Sequence, residues 1–218
     1  MYILIPACLC IAALFIYQEY LKRYTAAVIL KGLASLCFVI FGFLVSKGGT
    51  VSNTILIGLT LGMIADVLLN LRYVFEAKGR LIFLAGILVF LSGHIAYLAA
   101  VLPMNTQPWI CIIIGIVLTA LLMKWLFTKI TAAKAFKIFG IVYIGAIVIL
   151  NCVAFFNLFV SYSTFNLIFA AGVFLFLISD IVLILNTFGS ETKFILRITN
   201  LSLYYIGQIL IAFSLLYL

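Results

Sequence analysis

The sequence contains very little charge. Only 8% of its 218 residues are Asp, Glu, Lys or Arg, five of these are acidic, and the chain has one histidine and three prolines. Soluble domains carry about 25% charged residues, so this composition excludes a soluble globular protein. Apolar side chains dominate instead, at 68% of the chain with a mean hydropathy of +1.42. The composition predicts an integral membrane protein.

The surplus of positive charge does not indicate a nucleic-acid partner. Nucleic-acid modules gather Lys and Arg on one exposed face with aromatic residues between them, whereas the 13 basic residues here mostly lie between apolar runs. The cysteines also lie within apolar runs, without a CxxC pair and with no histidine at ligand spacing. We therefore interpret them as small buried side chains. They are Cys8, Cys10, Cys37, Cys111 and Cys152.

Apolar runs of helical length recur along the chain and are separated by charged or turn residues. The alternation typical of a transmembrane barrel is absent, so we interpret the runs as helices. The first lacks the basic leader of a signal peptide and is interpreted as a retained helix. We predict an all-α membrane protein, one domain over residues 1–218, with eight spans at 2–18, 26–45, 54–71, 81–101, 109–127, 136–156, 165–187 and 194–217.

The basic residues are distributed unevenly among the seven loops. The odd-numbered loops contain or flank eleven of them, the even-numbered loops contain only Lys47, and Lys31 lies within the second span. Because Lys and Arg concentrate on the cytoplasmic side, the odd loops are predicted to be cytoplasmic and both termini external. This pattern suits a bacterial inner membrane, and a eukaryotic internal membrane would fit it too. Residues 103–108 and 157–163 are predicted to form tight external turns.

Four ionisable residues lie inside predicted spans: Lys31, Asp66, His94 and Asp180. Such a group costs at least about 2.5–3.5 kcal/mol on insertion scales, so each requires a partner or a function. Counted from the cytoplasmic span ends, Lys31, Asp66 and Asp180 lie about 7–10 Å deep and share one layer. His94 lies about 20 Å deep by the same rise.

Uncharged polar residues extend this predicted interior. Asn151 and Gln208 lie at the depth of His94, while Tyr97 and Tyr204 share helix faces with His94 and Gln208. These two depths predict an inner and an outer polar level. Such residues are more often interhelical hydrogen-bonding groups than ligands, and that reading stays open for all of them.

Both aspartates share a helix face with small residues. A GxxxG motif at 58–62 continues to Asp66 and Asn70 in steps of four, and Ser179 lies beside Asp180. Small residues let helices approach closely, so both carboxyl groups are predicted to face inward. The alternatives are packing alone for the motif and a purely structural ion pair with Lys31 for either carboxylate. Lys31 could also extend to the near interface, and His94 could be a packing residue.

Two buried carboxyl groups close together can act as one acid and one base near neutral pH. This arrangement serves reactions with an oxocarbenium-like transition state, and proton-coupled transport could use it as well. The Tyr-Asp and Gly-x-Gly-Asp signatures of intramembrane aspartyl proteases are absent. No GxSxG accompanies the single histidine, which disfavours a serine hydrolase.

Four blocks of the sequence carry a family resemblance: LKGL at 30–33, LGMIADVLL at 61–69 followed by AGILVFLSGHIAY at 85–97, GVFLFLISD at 172–180 and YYIGQILIA at 204–212. With these blocks the chain resembles the lysoplasmalogenase, or YhhN-like, family of integral membrane proteins. The order and spacing of the polar residues in these blocks carry it. The chain departs from the family at two positions. Ala65 precedes the aspartate where the family has Gly, and Gly32 follows the lysine where the family has Pro.

The resemblance implies hydrolysis of the vinyl ether bond of a lysoplasmalogen to a fatty aldehyde and a glycerophospho-alcohol, without metal or organic cofactor. We expect Asp66 and Asp180 to be the catalytic pair, with Asp66 preferred as the acid. The phosphate is expected near Lys31 or Arg72. Supporting residues are expected at Asn70, His94, Tyr97, Asn151, Ser179, Tyr204 and Gln208. The alternatives are a proton-coupled transporter or flippase of a small lipid or solute and a non-catalytic scaffold.

The predicted orientation can be tested with a membrane-impermeant thiol reagent in intact cells. A cysteine introduced into the third loop should stay unlabelled until the membrane is permeabilised, because the loop is predicted to be cytoplasmic. Labelling of that cysteine in intact cells would overturn the orientation.

Overall fold

A computed structural model describes residues 1–218, apart from the side chain of Ala135. Helices dominate the chain, and the all-α membrane bundle predicted from the sequence is confirmed. The eight α-helices are α1 (Leu4–Tyr20), α2 (Tyr24–Val45), α3 (Thr50–Leu71), α4 (Gly79–Val101), α5 (Pro108–Phe127), α6 (Lys134–Val160), α7 (Thr164–Phe188) and α8 (Phe194–Ser214).

Each helix lies within four residues of a predicted span at both ends. In the described part of the chain, α2 to α8 are long and apolar enough to cross a membrane, and α1 is a shorter apolar helix of 17 residues. At about 1.5 Å per residue, α1 measures about 25 Å, which is near the lower limit for a span.

Loops one, three, five and seven lie at the same end of the bundle, here called the basic end. Loops five and seven contact each other there, since the Thr131 amide donates to the Phe188 carbonyl at 2.8 Å. At the opposite end the predicted turn at 157–163 is partly wrong, because α6 continues to Val160. The reason is Asn157, whose side chain is buried and accepts from the Asn105 amide at 2.8 Å.

Small residues set the closest helix contacts. The predicted inward stripe on α3 is confirmed, because residues 58, 62, 66 and 70 are all buried. On α7 and α8, Gly172 and Gly207 face each other so closely that a Cβ on either would lie 2.9 Å from the other's carbonyl oxygen. Close backbone approach at such pairs is the main source of helix association in lipid.

The Gly172 contact predicts a strong effect of one methyl group. Gly172→Ala should lower the midpoint of thermal unfolding in detergent by several degrees, because overpacking a tight contact costs about 1–3 kcal/mol. Gly145→Ala is the matched control, since its Cβ would lie 3.6 Å from the nearest atom, an ordinary contact. Equal midpoints for the two variants would contradict the packing argument.

Candidate active site

A narrow, mostly apolar cavity of about 70 Å³ lies at the basic end among α3, α4, α6, α7 and α8. Its aromatic and aliphatic lining includes Leu69, Phe83, Ile87, Phe90, Phe136 and Phe139. Arg72 and Arg197 line it where α3 ends and α8 begins, and we call these helix ends the rim. Phe90 and Tyr143 lie further inside, and we call them the floor. From Phe136 to Tyr143 along α6 the depth is about 10 Å.

Asp180 lies directly behind the floor. The Tyr143 hydroxyl donates to Asp180 Oδ2 at 3.0 Å, and His94 Nε2 lies 3.4 Å from the same oxygen. Neither nitrogen of His94 has a hydrogen-bond partner among the described residues, although the side chain is completely buried. Catalytic hydrogen bonds are often long without substrate. The floor therefore presents the Tyr143 phenol, with a carboxyl group and an imidazole clustered behind it.

Asp66 is held by a different set of groups. Lys31 Nζ lies 3.1 Å from Asp66 Oδ1, while the hydroxyls of Ser35 and Tyr204 donate to Oδ2 at 2.6 and 2.7 Å. All four side chains are buried. Burying an ion pair costs less when further hydrogen bonds satisfy its remaining lone pairs, as they do here. Both oxygens of this carboxylate are therefore occupied.

A chain of polar contacts leads from Asp66 to the basic end. Lys31 Nζ donates to Asn70 Oδ1 at 3.3 Å, and that oxygen also accepts from Arg197 at 3.4 Å. Arg197 in turn donates to the Glu19 carboxylate from Nε and from one terminal nitrogen, the shortest contact being 2.9 Å. The network connects α1, α2, α3 and α8. It fixes Arg197 at the rim of the cavity.

Arg72, on the same rim, has a different environment. Its guanidinium carbon lies 4.6 Å from the Tyr73 ring centroid and 4.4 Å from that of Phe83, and one terminal nitrogen donates to the Tyr73 hydroxyl at 2.6 Å. Its Nε atom is buried without a hydrogen-bond partner in the described structure. Stacking on two rings orients the group without neutralising its charge.

Two of the remaining predicted residues extend the Asp66 cluster. Tyr97 donates to Gln208 Oε1 at 2.8 Å, and Gln208 Nε2 donates to the Tyr204 hydroxyl at 3.3 Å. These hydrogen bonds connect Tyr97 to Asp66 through Gln208 and Tyr204, and they join α4 to α8. None of these three residues lines the cavity.

Asn151 and Ser179 contact backbone atoms of neighbouring helices. The Asn151 amide donates to the Ile147 carbonyl on its own helix at 2.8 Å and to Val173 on α7 at 3.2 Å. The Ser179 hydroxyl donates to the Asn200 carbonyl at 3.0 Å. Both side chains thus link helices behind the cavity.

The two predicted polar levels are not separate. His94 was placed about 10 Å beyond Asp180 by helical rise, yet the two side chains lie 3.4 Å apart. Gln208 is likewise continuous with Asp66 through Tyr204. Counting residues assumes that all helices are untilted and begin at one depth, and helices in membranes rarely satisfy that assumption.

The two aspartates lie in neighbouring but distinct clusters. Among the described side chains, no hydrogen bond or ion pair joins Asp66 to Asp180. Phe176 connects the clusters, with ring centroids 4.7 Å from His94 and 5.2 Å from Tyr204. Only the Asp180 cluster reaches the cavity directly, through Tyr143.

Sequence reasoning missed three residues of these clusters: Ser35, Tyr143 and Arg197. A periodicity signal existed for two of them, since Ser35 is four residues after Lys31, and Tyr143 is eight residues before Asn151 on one helical face. Arg197 was counted as a loop charge, but it belongs to the first turn of α8. Asn200, Tyr204 and Gln208 follow Arg197 on the same face of α8.

Comparison with known proteins identifies the family of the chain. Searches of curated proteins and of solved structures gave no significant match. A family model described as the YhhN family matches residues 26–215, which include every candidate site residue from Lys31 to Gln208. The chain therefore belongs to the YhhN family.

Proposed function

We propose that this protein hydrolyses the vinyl ether bond of lysoplasmalogens in the basic-end cavity. The observation that carries the proposal is the cavity itself: apolar walls, two arginines at the rim, and a phenol at the floor that is hydrogen-bonded to a buried carboxyl group. A lysoplasmalogen has matching parts, namely a phosphate, a single apolar chain and an acid-labile bond between them. The resemblance of the sequence to lysoplasmalogenases supports the same substrate class.

The walls of the cavity suit a single long apolar chain, which would have to widen the 70 Å³ space to enter it. Its lining is mostly aromatic and aliphatic, which favours burial of hydrocarbon. Phe139 in its α6 wall is 38% exposed and adjoins Ile138 on the outer surface of the bundle, which is 55% exposed. In our proposal the alkenyl chain of the substrate leaves the cavity past Phe139 toward the surrounding lipid.

The chemistry requires protonation of carbon. In our proposal Asp180 donates its proton to the alkenyl carbon distal to the ether oxygen, whose π electrons form the new C–H bond and leave an oxocarbenium ion. Water adds to the cationic carbon and gives up a proton to the Asp180 carboxylate, with His94 orienting that group. The hemiacetal hydroxyl then loses its proton, the bond to the glycerol oxygen breaks, and that oxygen takes up a proton. One water is consumed.

The surroundings of the two carboxyl groups suggest divided roles. Asp180 Oδ1 accepts no hydrogen bond from a described residue, so it can carry and deliver a proton. Both oxygens of Asp66 are occupied by Lys31, Ser35 and Tyr204. We therefore favour Asp180 as the general acid, the reverse of the order preferred from the sequence, and Asp66 as the partner that holds Lys31 and Tyr204 in place beside the site.

Asp180→Asn should reduce aldehyde release from 1-alkenyl-glycerophosphoethanolamine by about 10²–10⁴-fold, because a positioned general acid contributes that much. The assay uses detergent-purified protein at equal folded amounts. Glu191→Gln is the control, since it removes an exposed carboxylate paired with Lys193 at the basic end. Wild-type rates from the Asp180 variant would refute its role.

The transporter alternative has a separate test. Movement of a labelled solute into vesicles, with no aldehyde from any lysoplasmalogen, would establish it.

The structural part of the Asp66 role can be measured separately from activity. Lys31→Met and Asp66→Leu should each destabilise the protein by about 3–5 kcal/mol, because each leaves an unpaired buried charge. The double variant should recover most of that loss. Thermal unfolding in detergent would show this as a higher midpoint than that of either single variant, and a double variant no more stable than the weaker single would disprove the pairing.

A further inference from the structure

The rim of the cavity has a charge imbalance that the reacting groups do not explain. Two arginines, Arg72 and Arg197, line it, and no acidic residue does. Glu19 neutralises Arg197 at 2.9 Å, whereas the described residues offer Arg72 no carboxylate within ion-pair distance. An apolar cavity bordered by an unpaired cation favours a ligand with one anionic group and a long apolar part.

Arg72 is already arranged to bind such an anion. Tyr73 and Phe83 hold its guanidinium between two rings, and the buried Nε lacks a partner. A buried donor without a partner is costly, and a phosphate oxygen would satisfy it with a charge-assisted hydrogen bond. Lys31, the other sequence candidate for phosphate, is occupied by Asp66 and Asn70.

We propose that Arg72, assisted by Arg197, binds the lipid phosphate and thereby selects which bond of the substrate reaches the floor. This inference rests on the proposed function for the identity of that bond. Three covalent bonds of an extended chain span about 3.3–3.6 Å, so the six bonds from phosphorus to the first vinyl ether carbon span about 7 Å. Adding a guanidinium–phosphate contact gives about 10 Å, similar to the length of the α6 wall from Phe136 to Tyr143.

Binding can be measured without turnover. The probes are 1-alkyl-glycerophosphoethanolamine, whose saturated ether resists hydrolysis, and 1-alkylglycerol, which lacks the phosphate. We expect Arg72→Gln to weaken binding of the first probe about tenfold to 100-fold and to leave binding of the second unchanged. Arg72→Lys should retain part of the affinity. Arg80→Gln, on an exposed arginine over the Phe136 ring, should change neither.

A second experiment measures whether Arg72 selects the reacting bond. A 1-alkenyl substrate with ethylene glycol in place of glycerol brings phosphate and vinyl ether one bond closer. Wild type should process it with a reduced kcat, and Arg72→Gln should process it and the natural spacing with similar kcat. Equal weakening of both alkyl probes, or of neither, would overturn the phosphate site. If the probes bind as expected but wild type releases no aldehyde, the result would support the phosphate site and refute the hydrolase function.

Discussion

The pairing of Lys31 with Asp66 is the contact on which the interior of this bundle depends. A single charge at this position would be costly in a membrane, and the two groups at 3.1 Å neutralise each other. The pair joins α2 to α3, and its hydrogen-bond partners Tyr204 and Asn70 extend it to α8 and toward Arg197. Arg197 also pairs with Glu19 of α1, so four helices are held around one polar network, which reaches the cavity at Arg197.

The fold follows from the sequence to a large extent because the membrane leaves few choices. Apolar runs of about 20 residues must be helices in lipid, and glycine stripes identify which faces pack. Helix ends were more difficult, as α6 shows. It continues one turn past the predicted end because Asn157 finds buried partners in Asn105 and Val101, and hydropathy cannot detect such a partner.

The candidate site was only partly accessible from the sequence. Asp66 and Asp180 stand out as charges in apolar runs, but their distribution between two clusters depends on helix tilt and side-chain direction. Tyr143 is an ordinary tyrosine in the sequence, and only the packing of α6 against α7 brings it to Asp180. Residue type revealed where charge is buried, whereas tertiary packing decides which charge reaches the cavity.

Different roles for the Asp66 and Asp180 carboxyl groups would explain why both are buried. One maintains the network that shapes the bundle, and the other, next to an imidazole, is connected to the cavity through the Tyr143 phenol. The most direct measurement is a cryo-electron microscopy structure in lipid nanodiscs with bound 1-alkyl-glycerophosphoethanolamine. The phosphate should contact Arg72 and the first chain carbons should lie beside Tyr143 and Asp180. Lipid density confined to the outer surface, with the cavity filled by side chains, would contradict the central claim.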